Sequence, residues 1–153
     1  MRTSFATFAS SLLLAGCGPM SGVYTFTVAS EESDCPDSYD PGTDPEGDQT
    51  ITVSQADSTI TLAGEPDEVC PLDGMAFVCD FADVDETVDY ADQGLQAAYT
   101  IDVQMQGEWA EASSMTGLTD VQTRCEGDDC DQVEAAGAPA CTMTWYWDAT
   151  IGS

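Results

Sequence analysis

The sequence contains no histidine and no lysine, and only two arginines, Arg2 and Arg124. Without histidine there can be no Ser-His or Cys-His nucleophile pair and no histidine-containing zinc site. Without lysine there can be no Ser-Lys pair, so carboxylates are the general acids and bases left. The shortage of cations also excludes nucleic acid and anionic lipid head groups as partners, because binding them needs Lys and Arg to displace counterions. Long apolar runs are missing too. The weakly apolar stretch from Thr3 to Leu14 is too short to span a bilayer, and no other run could do so. Internal repeats are not evident.

What is abundant is acid: 29 Asp and Glu in 153 residues, for a formal net charge of −27. Such a field keeps a chain solvated and destabilises its compact form by self-repulsion. Two runs suggest calcium, since carboxylates and carbonyls are its ligands. They are Asp40-Pro41-Gly42-Thr43-Asp44-Pro45-Glu46-Gly47-Asp48 and the run beginning Asp83-Val84-Asp85-Glu86. Neither fits an EF-hand loop, because Pro45 and Val88 stand where its glycine belongs. The expectation is no dedicated metal site and no cofactor, with divalent cations such as calcium held loosely.

The first residues read as an address. Met1-Arg2, the apolar run and then Leu14-Ala15-Gly16-Cys17 have the layout of a secretory signal ending in small residues. These last four residues resemble the lipobox of bacterial lipoproteins. That resemblance implies lipidation of the Cys17 thiol and cleavage before it, and it covers the first 17 residues alone. It divides the chain into a signal peptide (1–16), a lipidated cysteine with a short tether (17–21) and a single acidic β-domain (22–153). With Arg2 removed, the mature chain sets 29 acids against Arg124, a net charge of −28. Several acyl chains on one residue anchor stably without a membrane helix. Gly18 rather than Asp follows Cys17, which in the enterobacterial lipoprotein family favours the outer membrane over the inner.

Downstream, strands are signalled by alternation. Tyr24, Phe26 and Val28 share one face of a first strand, and Thr50–Leu62 reads as a β-hairpin turning at Gln55-Ala56-Asp57-Ser58. Met75, Phe77, Cys79 and Phe81 alternate in another strand, as do Tyr99, Ile101, Val103, Met105 and Trp109 in a long one. Ser113–Cys125 forms its weaker partner, and Cys141, Met143, Trp145 and Trp147 line the last strand. Ser30–Asp48, the acidic stretch through Cys70 and Pro71, and Asp83–Gln96 read as loops. About seven strands without a long helix predict an all-β antiparallel domain, either sandwich-like or a flattened up-and-down barrel.

Seven cysteines become six once Cys17 is set aside, and an exported chain pairs them. Placing the loops at alternate ends of a seven-strand meander predicts the bridges Cys35–Cys70, Cys79–Cys141 and Cys125–Cys130. The same placement spreads the acids evenly. The Ser30–Gly74 loops and Glu111 fall at one end, and Asp57, Asp83–Asp92 and Glu126–Glu134 at the other.

Three function classes follow. The first is a lipid-anchored binding or structural module of the cell envelope, with a membrane contact through its lipid and a protein or small apolar ligand as partner. The second is a lipocalin-like carrier whose inward Phe77, Met105, Trp109, Trp145 and Trp147 line an apolar pocket. A cavity above about 300 Å³ would favour the carrier, and a filled interior the module. The third is a paired-carboxylate hydrolase, but no pair is enclosed by apolar sequence, so no catalytic residue is assigned and the chain reads as a non-enzyme.

Overall fold

Strands form where β-branched and aromatic residues alternate with polar ones, because one face of each can then be buried against the others. A computed structural model describes residues 18–37, 39, 45–64, 66–81 and 86–152. Cys17, most of the Asp40–Asp48 run and Asp83–Asp85 lie outside the described residues. In chain order the elements are β1 (Gly22–Ser33), β2 (Gly47–Ser54), β3 (Thr59–Leu62), β4 (Glu68–Asp73), β5 (Ala76–Asp80), β6 (Glu86–Asp89), β7 (Ala97–Glu111), β8 (Ser114–Gly127), α1 (Cys130–Ala135) and β9 (Thr142–Ile151).

The sheet runs β5-β4-β3-β2-β1-β9-β8-β7-β6, antiparallel throughout, and β5 also pairs with β7. That last pairing closes eight strands into an up-and-down barrel and decides between the two expected architectures. Closure removes the free edges that an open sheet would expose. β6 continues the line of β5 along β7: β5 pairs with Gln104–Glu108 and β6 with Ala98–Ile101.

Two of these strands were expected to be loops. β4 is acidic and carries Pro71, yet its Cys70 and Leu72 alternate inward and are buried, and it ladders fully against β3. On its other side the ladder to β5 is confined to Leu72–Phe77 and Asp73–Ala76. Proline has no N–H to extend it. β6 has no apolar pattern of its own and pairs with the part of β7 that β5 leaves open.

The extra strand changes the disulfides. The bridges are Cys35–Cys141, Cys70–Cys79 and Cys125–Cys130, in place of the expected Cys35–Cys70 and Cys79–Cys141. Each of the first two continues a ladder register. Ser33 faces Met143, so Cys35 falls opposite Cys141, and Leu72 faces Phe77, so Cys70 falls opposite Cys79. Both have Cα atoms 5.0 Å apart, within bridging range for neighbouring strands. Cys70–Cys79 staples β4 to β5 where Pro71 interrupts their hydrogen bonds.

The lower barrel is filled. Phe77, Gly107, Gly117 and Trp147 form one row across β5, β7, β8 and β9. The two glycines leave room for the rings on either side: a Cβ on Gly117 would lie 2.4 Å from Trp147 Cη2, and one on Gly107 2.6 Å from Phe77 Cε1. Outward positions such as Gln104, Gln106, Glu108, Thr116 and Gln122 are polar. An apolar inside and polar outside is the reverse of a lipid-facing barrel.

Candidate ligand cavity at the open end of the barrel

The two ends of the barrel are built differently. At one end lie the tight β2–β3, β4–β5 and β7–β8 turns, together with residues 18–21. These four residues, read from the sequence as a short tether, are docked. Pro19 is buried, the Met20 N–H donates to Ala112 O at 2.9 Å, and Ser21 Oγ accepts from the Val53 N–H at 2.8 Å. Beneath them Tyr24 and Trp109 form a buried polar chain: the Trp109 indole N–H donates to Tyr24 Oη, whose hydroxyl donates to Met20 O, each at 2.8 Å. Burial raises the Tyr24 pKa above the ordinary 10.0, opposed by the bond it accepts from the Trp109 indole. The phenol therefore stays neutral. This end is closed.

The opposite end carries the longer connections. β4 adds one chain reversal to the expected meander, so the acids divide unevenly. Among the described residues, Asp34, Asp37, Glu46, Asp48, Asp67, Glu68, Asp89, Asp92, Glu126, Asp128, Asp129, Asp131 and Glu134 lie at the open end. Asp57, Asp73 and Glu111 lie at the closed one. This corrects the even spread expected from seven strands. The acidic connections are concentrated at the open end.

Within that end is a cavity of about 460 Å³. Its apolar wall comes from Phe26 on β1, Leu62 on β3, Met105 on β7 and Phe81 just after β5. The first three are buried because they occupy inward positions, and Phe81 is half-buried, with its N–H donating to Val103 O at 3.0 Å. The rim is Pro45–Gln49 before and within β2, with Ala63, Gly64 and Pro66 after β3 and Glu68 at the start of β4. Glu46 and Glu68 supply its carboxylates. Glu46 Oε1 accepts from the Val28 N–H at 3.4 Å, whereas the Asp48 carboxylate turns to the outer face, where its Oδ1 accepts from the exposed Thr25 hydroxyl at 2.7 Å.

Of the five residues expected to line a pocket, Met105 alone does so. Phe77, Trp109 and Trp147 are core beneath the cavity, with Phe77–Trp109 and Phe26–Trp147 ring centroids 5.4 and 4.8 Å apart. The Trp147 indole N–H donates to Thr119 Oγ1 at 3.1 Å. Trp145 belongs to a separate cluster with Val103, Val121 and Met143. The reason is size: indoles at mid-barrel positions meet across the interior and fill it. Phe26, Leu62 and Phe81 went unassigned, although each occupies an alternating apolar position, Leu62 at the end of β3 and Phe81 just past β5.

Other groups of ionisable residues are engaged structurally. Asp34, Cys35 and Cys141 converge, but the two sulfurs are bonded to each other and Asp34 Oδ1 accepts from the Thr142 N–H at 2.6 Å. On the outer wall Arg124 pairs with Asp102, Gln104 donates to Asp80 at 2.6 Å, and the Thr144 hydroxyl donates to Asp120 at 2.6 Å.

Comparison with known proteins adds no relative. No protein-family model, curated protein or solved structure matches the chain.

Proposed function

We propose that this protein is a lipid-anchored carrier of a small apolar ligand in a bacterial cell envelope, holding the ligand in the cavity at the open end of its barrel. The observation carrying this reading is the cavity itself. Its volume, about 460 Å³, falls in the range of small-molecule sites, and its wall is made by Phe26, Leu62, Phe81 and Met105. A barrel serving as a structural module has no need to leave such a space above an already filled core.

The anchor in this proposal is the Cys17 lipid implied by the lipobox resemblance. Gly18–Ser21 dock on the closed end, so a lipid on the preceding residue holds the barrel by that end and turns the mouth away from the membrane. Cys17→Ser is expected to move the folded protein from the membrane to the soluble fraction of the native cell. Retention in the membrane fraction after complete signal cleavage would remove the anchor from the proposal.

Cavity binding is tested with the neutral, solvatochromic probe N-phenyl-1-naphthylamine. One saturable site is expected. Gln49 is half-buried at an inward position of β2 on the rim, so Gln49→Trp fills the mouth, and it should weaken the probe by at least about tenfold in a protein that still unfolds cooperatively. Equal binding by Gln49→Trp and the parent would place the probe elsewhere and contradict the carrier reading.

A further inference from the structure

From the chemistry of the rim we infer that the ligand is an amphiphile with an apolar body and a cationic head group. This rests on the carrier reading above and narrows it. The cavity offers two environments. Phe26, Leu62 and Met105 give an apolar floor that rewards a hydrocarbon or ring body. Glu46 and Glu68 stand where the ligand's outer end emerges. Their spacing in sequence comes from two separate connections, before β2 and into β4, which the barrel brings to one rim.

Charge then decides the head group. An anionic head, such as the carboxylate of a fatty acid, would be placed against two carboxylates within the wider negative field of the open end. Like charges in a partly desolvated site repel much more strongly than in water. No cation is at hand to offset this: the mature chain has Arg124 alone, and it pairs with Asp102 on the outer wall. A neutral head gains only hydrogen bonds. An ammonium gains the Coulomb attraction of the rim, and the half-buried Phe81 ring supplies a face of the kind that attracts cations. The surrounding acids also raise the local concentration of cations and speed their arrival.

The test is calorimetric titration of the intact protein with three probes of one chain length: decyltrimethylammonium, decyl maltoside and decyl sulfate, all below their micelle concentrations. Expected is an order of affinity cation, neutral, anion, with the cation at least about tenfold tighter than the neutral probe in low salt. A Glu46→Gln/Glu68→Gln variant should bring cation and neutral probe to within about threefold by weakening the cation. The control is Glu126→Gln/Asp128→Asn, which removes the same formal charge at the same end but away from the cavity. It should keep the preference.

The outcomes separate the two readings. Neutral and cationic probes binding equally well would overturn the charge inference while the carrier reading stands. Equal loss of preference in both double variants would also overturn it, by assigning the effect to the general field. Failure of all three probes to bind would strike the cavity reading itself.

Discussion

A Cys35→Ser/Cys141→Ser protein is expected to lose about 4.7 kcal/mol of unfolding free energy, the largest loss of any single bridge. The loop it closes spans 106 residues, against 9 for Cys70–Cys79 and 5 for Cys125–Cys130. On chain entropy alone the other two contribute about 2.6 and about 2 kcal/mol. Local structure adds to the first figure. Cys141 is buried, its N–H donates to Thr123 Oγ1 at 2.9 Å, and the bridge ties β1 to β9 just beyond their last ladder pair. Chemical unfolding without reductant checks the order. If removing Cys70–Cys79 cost as much as removing Cys35–Cys141, loop closure would not be the source of the stabilisation.

Trp147→Ala is the second large effect, at about 3–5 kcal/mol. Trp147 is fully buried, stacks near Phe26 and occupies the space that Gly107 and Gly117 leave open. Gly117→Ala in the parent should also destabilise, by about 1–3 kcal/mol, because its methyl would meet the indole at 2.4 Å and Gln106 O at 2.2 Å. In the Trp147→Ala background the first of these clashes is gone and the second persists. The Gly117→Ala penalty should therefore shrink without vanishing, giving a non-zero coupling in a double-mutant cycle. Strict additivity would mean that the two residues do not compete for one space.

Most strands were legible because a closed barrel imposes a strict inside-outside alternation. Tyr24 and Phe26, the Ile51–Leu62 hairpin, Met105 and Trp109, and Met143 through Trp147 all show it. β4 was hidden because Glu68, Pro71 and Asp73 read as a turn while only Cys70 and Leu72 mark the inner face. β6 was hidden because its pairing is supplied by the open flank of β7 and not by its own residues. Missing β4 had consequences beyond its own length. It displaced Cys70 from a strand to a loop and reversed the ends to which later connections belong. Two bridges and the distribution of acids followed it into error. The cavity was legible only in Met105, since its other walls come from β1, β3 and the residue after β5, which nothing local in the sequence brings together.

The account turns on whether the open-end cavity takes a ligand. The most direct measurement is residue-by-residue amide shift mapping by NMR as decyl maltoside is added below its micelle concentration. Saturable shifts are predicted at Phe26, Gly47–Gln49, Leu62–Gly64, Phe81 and Met105, with Tyr24, Ala112 and the closed-end turns unmoved. Linear, unsaturated shifts scattered over the outer wall, or none at the cavity residues, would contradict it.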